Sequence, residues 1–191
     1  MTTRELPPVV SVVGRKNSGK TTLVVALAAE LKRRGLRVAT MKHGHHAFEF
    51  DQPGRDSWRH FHEGGAEATI MLGGDRLALV MRLDAEPDPA EIVARFYAGA
   101  GYDVVLVEGL KHGPFPKVEV FRRALHTDAD PLVASAAADA RGRFLAVVTD
   151  DPALAVPCPV LPLDPADPQG AHVAAVADLV QRQIAVEAAG A

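Results

Sequence analysis

The 191-residue sequence has little cysteine and no long apolar run. Because Cys158 is the single cysteine, the chain cannot form an internal disulfide, and its proline-rich surroundings indicate a structural thiol rather than a nucleophile. No apolar run approaches the ~20 residues that cross a bilayer, and residues Met1 to Pro8 lack the apolar core of a signal peptide. We therefore expect a cytoplasmic protein that has no membrane partner.

The sequence also has no large excess of positive or negative residues. The net charge is -3 at pH 7, so there is no global electrostatic reason to expect a nucleic acid or an anionic membrane as partner. The sequence contains no internal repeat, low-complexity tract or interdomain linker. With 48% hydrophobic residues, a chain of this length predicts a single α/β domain over residues 1–191.

The most informative stretch is GRKNSGKT at residues 14–21, which matches the pattern G-x-x-x-x-G-K-[ST] at every fixed position. A β-branched run, Val9 to Val13, precedes it, and apolar residues at helical spacing follow it up to Gly35. Gly14 and Gly19 permit backbone angles that are closed to other residues, so successive N–H groups can curl around a phosphate. The context therefore predicts a P-loop followed by a helix whose positive end faces the same anion.

The P-loop pattern assigns chemistry to two of its residues and requires a carboxylate from elsewhere. Lys20 is expected to reach the β- and γ-phosphates, and the Thr21 hydroxyl is expected to hold Mg²⁺. The run from Asp103 to Gly109 predicts a buried central strand that ends in an acid. Glu108 is therefore the candidate for the carboxylate beside Mg²⁺, although an acid that merely begins a solvent-exposed loop is the alternative.

The remaining patterns predict a three-layer P-loop NTPase fold with a mainly parallel sheet. Further strands are expected at residues 36–41, 117–121 and 144–149, with a short one near Val160, and a packing helix is expected near the C-terminus. The segments 68–72 and 76–82, joined by Gly73-Gly74-Asp75, predict a β-hairpin. We expect this hairpin to add an antiparallel pair to the main sheet.

Polar residues follow the second predicted strand, where ligands of open α/β sheets bind. The sequence Lys42-His43-Gly44-His45-His46 favours contact with an anionic ligand, but plain surface histidines and a metal site remain alternatives. The turn-rich segment 48–57 predicts a loop in which Asp51 or Asp56 helps to order the attacking water or the metal. Lys16 could approach the phosphates or cross a dimer interface.

Three motifs occur in the order and spacing of a known family. They are GRKNSGKTT at the P-loop, MKHGHH with a downstream DQPGRDS, and LVEGLKH around Glu108. In these motifs the chain resembles the MobB family of molybdopterin-guanine dinucleotide biosynthesis adaptor proteins, over about residues 9 to 148.

The resemblance implies a P-loop protein that binds GTP, hydrolyses it weakly and forms a homodimer. It also implies assistance to the guanylyltransferase that converts molybdopterin to its guanine dinucleotide. Thr21 and Glu108 would serve the Mg²⁺ site, and residues 43–57 would form the functional loop of the family. Our own hypothesis for hydrolysis is that Lys20, Asp51 and Glu108 act in it. The residues implied to bind the GTP phosphates are Gly14, Lys16, Asn17, Ser18, Gly19, Lys20, Thr21 and Thr22.

The usual guanine-reading motif, Asn-Lys-x-Asp, is absent from the sequence. Guanine presents two donors, N1–H and the N2 amino group, so a carboxylate beside the base would select it over adenine. Asp150, after the predicted strand 144–149, is the candidate, with a turn acid before Pro152 as the alternative. No residue stands out as an arginine finger, which predicts slow intrinsic hydrolysis.

The sequence is also compatible with three other functions. A non-catalytic adaptor could bind GTP or the pterin and pass it on, with hydrolysis incidental. A small-molecule kinase would also use a P-loop, although no region reads clearly as an arginine-rich lid. A metal-delivery GTPase would use His43, His45 and His46 as ligands.

Overall fold

The computed structural model describes residues 6–44, 51–137, 140 and 143–190. The chain divides into two compact units, one formed by residues 1–44 and 89–191 and the other by residues 45–88. We describe each unit by itself. The single domain over residues 1–191 therefore stays a prediction.

The strands, the helix after the P-loop and the C-terminal helix lie close to the segments that the hydrophobic patterns predict. In the first unit they are β1 (Val9–Gly14), α1 (Lys20–Arg33), β2 (Val38–Lys42), α3 (Pro89–Tyr97), β5 (Val104–Glu108), β6 (Lys117–Phe121), α4 (Leu132–Ser135), β7 (Phe144–Thr149), β8 (Val160–Pro162) and α5 (Ala171–Gly190). In the second unit they are α2 (Asp56–His62), β3 (Ala68–Gly73) and β4 (Arg76–Met81). Within the described residues, no helix has the length and hydrophobicity needed to cross a membrane.

The first unit contains a six-stranded sheet in the order β2-β5-β1-β6-β7-β8, with every neighbouring pair parallel. Its central strands β1, β5 and β6 are buried almost throughout, as expected for a parallel sheet covered on both faces. The carboxyl ends of all six strands meet at one edge. Strand β1 lies where the chain order reverses, which is the usual ligand position in such sheets.

Helices cover both faces of this sheet, so the predicted three-layer arrangement is confirmed. Val10 and Val12 of β1 pack in one core with α1 and α5. Successive side chains of a strand point to opposite faces, and Val9 and Val13 accordingly pack on the other side, near α3 and α4 respectively. The layers fix both ends of the loop that joins β1 to α1.

The predicted hairpin is present, but its place in the main sheet was predicted wrongly. Strands β3 and β4 pair with each other in a separate two-stranded sheet, and in the described residues the six-stranded sheet has only parallel pairs. The hairpin packs one face against α2, where the Ser57 hydroxyl lies 2.9 Å from the Met71 sulfur. Since α2 covers that face, the hairpin has a packing partner without joining a larger sheet.

Candidate functional site

The loop between β1 and α1 has the conformation that its glycines predict. Gly14 has φ +151° and Gly19 has φ +100°, while Asn17, a residue type that tolerates the left-handed region, has φ +62°. A Cβ atom on Gly14 would collide with the Val120 carbonyl and lie 2.7 Å from the Ser18 hydroxyl oxygen. The loop thus folds tightly against β6, and only glycine fits at its first position.

Lys20 lies partly buried at the start of α1. Its ammonium group donates a 2.6 Å hydrogen bond to the Arg15 carbonyl oxygen across the loop. Burial lowers the pKa of Lys20, Glu108 opposes this shift, and the positive charges of Lys111 and Lys42 add to it. Lys42 and Lys111, from two other segments, therefore add positive charge near Lys20 at the carboxyl edge of the sheet, which suits an anion.

Thr21 and Glu108 are brought together as the sequence predicts for a magnesium site. The Thr21 hydroxyl donates to Glu108 Oε1 at 2.8 Å, and the Lys42 ammonium lies 3.7 Å from the same oxygen. Glu108 is opposite Val12 in the register of β5 and β1, which fixes its distance from the P-loop. Mg²⁺ in nucleotide sites is held by one or two protein oxygen ligands together with phosphates and waters, so this donor pair fits the ion.

The other predicted loop residues differ in exposure. The side chains of Lys16, Asn17 and Thr22 are exposed, whereas Ser18 is fully buried. Within the described part of the chain, the Ser18 hydroxyl has no hydrogen-bond partner. A buried hydroxyl without a partner at a concave loop is a feature that a bound ligand would resolve.

The histidine cluster is only partly described. His43 lies beside the site, because its backbone N–H donates to the Glu108 carbonyl at 2.9 Å. His45 and His46 lie outside the described residues. Among the residues that are described, no group of three or more His, Cys, Asp or Glu side chains could hold a metal ion.

Asp51 belongs to the second unit, where one of its carboxylate oxygens accepts the Gln52 backbone N–H at 2.8 Å. Asp56, its alternative, begins α2 in the same unit. Because the two units are described separately, the proposed action of either acid at the P-loop stays a prediction.

Asp150 is largely buried and is already engaged by two arginines. Its Oδ2 accepts from Arg122 Nε at 2.8 Å, and its Oδ1 accepts from the Arg123 backbone N–H at 2.6 Å. Burial raises the pKa of Asp150, but these hydrogen bonds outweigh it and hold the pKa below its usual value. Both oxygens of the proposed guanine reader thus have partners within the protein, while its role in guanine selection is untested.

The same arginine segment supports the P-loop from outside. The two ring nitrogens of His126 lie 3.1 Å from the carbonyl oxygens of Arg122 and Lys16. Arg15 also donates to the Asp130 carbonyl at 3.1 Å. This support was not predicted, because hydrogen bonds to backbone carbonyls across more than a hundred residues leave no pattern in the sequence.

A cleft beside the P-loop contains further residues for which no role was predicted. It is lined by Ser18, Gly19 and Thr22 on one side and by Asp164, Pro165 and His172 on another. Its position could have identified Asp164 as a candidate, because Asp164 follows β8 and so lies at the same carboxyl edge of the sheet as the P-loop. The proline-rich composition of this stretch obscured it.

Comparison with known proteins agrees with this geometry. The family model for molybdopterin guanine dinucleotide synthesis protein B, MobB, matches residues 9–150. The chain belongs to the MobB family. The match runs from the start of β1 to Asp150 and therefore includes the P-loop, Glu108 and the central strands.

Two curated MobB relatives carry the name molybdopterin-guanine dinucleotide biosynthesis adapter protein. The protein of Haemophilus influenzae is 36% identical over 118 residues, which are 62% of this chain and 65% of the relative. The protein of Escherichia coli K12 is 34% identical over 126 residues, or 64% of this chain and 70% of that protein. The match thus spans slightly less than two thirds of the Haemophilus protein.

The structural comparison extends further along the chain. The crystal structure of a MobB homologue from Bacillus stearothermophilus is 28% identical, with a TM-score of 0.62, and the match covers 91% of this chain and 98% of that one. The predicted P-loop NTPase fold and the family resemblance are therefore confirmed.

Proposed function

We propose that this MobB-family chain binds GTP with Mg²⁺ at its P-loop and assists the conversion of molybdopterin to its guanine dinucleotide form. The proposal rests on the 2.8 Å hydrogen bond from the Thr21 hydroxyl to the Glu108 carboxylate, which lies beside the curled P-loop. The adapter names of the relatives support the pathway. The cytoplasmic location stays a prediction.

The chemistry that these residues support is slow hydrolysis of the γ-phosphate. The backbone of residues 14–19 would hold the phosphates, and Lys20 would exchange its bond to the Arg15 carbonyl for one to phosphate oxygen. Mg²⁺, held by Thr21 and Glu108, would neutralise charge on the phosphate oxygens. Lys42 and Lys111 add positive potential at the same edge, and Asp51 is proposed to orient water.

A second candidate is an adaptor that binds the nucleotide or the pterin and presents it to the guanylyltransferase without using hydrolysis. The names of the curated relatives favour it. The same binding residues serve both candidates, so the distinction depends on whether turnover is required.

The homodimer implied by the family resemblance has a suitable surface on the hairpin. Ile70 is opposite Leu79, and Leu72 is opposite Leu77, so the four side chains share one face of β3 and β4. Leu72 is 80% exposed and Ile70 is 62% exposed. An aliphatic face of this kind favours burial against a second copy.

The first prediction tests nucleotide binding. Lys20→Ala should weaken GTP binding by at least ~10-fold, because a charged contact to phosphate is lost. Lys32→Ala, at the other end of α1, is the matched control and should leave the affinity unchanged. Equilibrium titration of GTP, ATP and molybdopterin with Mg²⁺ provides the measurement, and equal affinity of the Lys20→Ala and wild-type proteins for GTP would refute the proposal.

Glu108→Gln separates the two candidates. We expect it to retain GTP binding without Mg²⁺ and to lose the Mg²⁺-dependent gain and hydrolysis, because the amide is a neutral ligand. Guanine dinucleotide formation is then measured with the guanylyltransferase present. Formation at the wild-type level would favour the adaptor, and its loss would favour the enzyme.

A further inference from the structure

The cleft beside the P-loop is continuous with the phosphate site. Ser18, Gly19 and Thr22 line it, and these residues also belong to the P-loop and the first turn of α1. The cleft has a volume of about 120 Å³ and opens to solvent at its mouth. Because the cleft adjoins the loop and is open, a nucleotide whose phosphates lie in the loop could place its base here.

The walls of the cleft are largely apolar, which suits an aromatic ring, and Arg122 also lines it. Leu163, Pro165 and Pro168 come from the segment after β8, and Val120 and Val148 come from the ends of β6 and β7. These side chains provide apolar surface, while His172 is 4% exposed at the start of α5. Burial lowers the pKa of His172, and the nearby charge of Asp167 opposes this shift. The lowered pKa favours a neutral imidazole ring in this wall.

Asp164 is the carboxylate of the cleft. Its Oδ1 accepts the Ala166 backbone N–H at 2.8 Å, which restrains the orientation of the side chain. Within the described residues, its Oδ2 accepts no hydrogen bond from the protein. Asp164 thus differs from Asp150, both of whose oxygens are held by Arg122 and the Arg123 backbone.

We propose that this cleft receives the base of the bound nucleotide and that Asp164, rather than Asp150, selects guanine. The inference rests on the proposed function, that the P-loop binds a nucleoside triphosphate. A carboxylate matches the adjacent N1–H and N2 amino donors of guanine, whereas adenine presents an unprotonated N1 acceptor on the same edge. A mismatch would leave acceptor facing acceptor, which is how polar sites reject close analogues.

The test exchanges the hydrogen-bonding character of Asp164. Asp164→Asn keeps an oxygen for the Ala166 N–H but replaces the other acceptor by an NH₂ donor. We expect GTP affinity to fall by ~10-fold or more, and affinity for xanthosine triphosphate, which has a carbonyl in place of the amino group, to rise by a similar factor. Asp150→Asn is the rival variant and should leave the ratio of the two affinities unchanged.

A series of analogues with the wild-type protein gives an answer that does not depend on the folding of a variant. Inosine triphosphate keeps N1–H but lacks the amino group, so it should bind several-fold more weakly than GTP and more tightly than xanthosine triphosphate. Equal affinity for all three, or a preference that changes with Asp150→Asn and not with Asp164→Asn, would overturn the assignment.

The titration with Lys20→Ala identifies which claim has failed. If wild-type protein binds none of these triphosphates, or binds them equally well after Lys20→Ala, the proposed function and the base assignment both fail. If binding depends on Lys20 but is indifferent to Asp164, only the base assignment fails.

Discussion

Gly14 shows how one residue can be required by its surroundings. It ends β1 at φ +151°, and the position that a Cβ would occupy is taken by the Val120 carbonyl and the Ser18 hydroxyl. The Val120 carbonyl belongs to the backbone of a buried strand, so it cannot move aside. The motif therefore needs glycine for two separate reasons, backbone freedom and close approach to a neighbouring strand.

Gly14→Ala should lower the free energy of unfolding by on the order of 3 kcal/mol, because strain and overlap add. Gly35→Ala is the control, since Gly35 also has positive φ (+87°) but no atom within 4 Å of an added Cβ, and it should cost about 1 kcal/mol. Urea denaturation measures both. Equal losses for the two variants would mean that the contact with β6 is unimportant.

Strand β6 packs against the P-loop and also holds the segments that precede and follow it in the chain. It is fully buried although it contains Lys117 and Glu119. The Lys117 ammonium donates to the Gly113 and Phe115 carbonyls, and Glu119 accepts the backbone N–H groups of Leu132 and Val133 at 2.6 and 3.0 Å. The charged residues of β6 thus anchor the segments before and after it.

Glu119 should leave a signature in the pH dependence of stability. Burial raises the pKa of its carboxyl group, with the two backbone hydrogen bonds opposing the shift. The folded state therefore keeps a proton that the unfolded state has lost, so stability falls as pH rises from about 4.5, the unfolded value, through the higher folded pKa.

Glu119→Gln provides the comparison, because glutamine does not titrate. The free energy of unfolding of the wild-type protein minus that of the variant should decrease with pH across this window and then become constant. Chemical denaturation from pH 4 to 8 measures the difference. A difference that is flat, or that increases with pH, would show that the buried carboxyl group is not the cause.

At the scale of the whole molecule, the hairpin face is a surface suited to self-association. Ile70, Leu72, Leu77 and Leu79 are between 37% and 80% exposed and lie together on one side of the two-stranded sheet. The opposite side of the hairpin includes Met71, which contacts Ser57 of α2. Association with a second copy would cover the aliphatic side.

Leu72→Lys should therefore convert the proposed dimer to a monomer, because a charge at the centre of an apolar interface would be desolvated without a partner. Val25→Lys is the matched control, a 62% exposed aliphatic residue on α1, and should leave the dimer intact. Sedimentation equilibrium measures the mass of each. If the Leu72→Lys protein remained dimeric, the dimer interface would have to lie on another surface.

The sequence by itself determined the parallel α/β fold, the P-loop and the pairing of Thr21 with Glu108. These follow from local patterns, since buried strands read as continuous apolar runs and the loop conformation depends on glycines at fixed spacing. The carboxyl ends of parallel strands meet at one edge, so even the meeting of α1 with the end of β5 could be expected from the order of the motifs.

Only the tertiary structure decided the partners of Asp150, the support that His126 gives the P-loop, and the separation of the hairpin from the main sheet. Asp150 and Asp164 both come just after strands of the main sheet, and nothing in their neighbouring residues reveals which carboxylate is already held by arginine. The contact of His126 with Lys16 joins residues 110 positions apart through a backbone carbonyl, which every residue has. Such contacts arise from packing, and packing depends on the whole fold rather than on any local pattern.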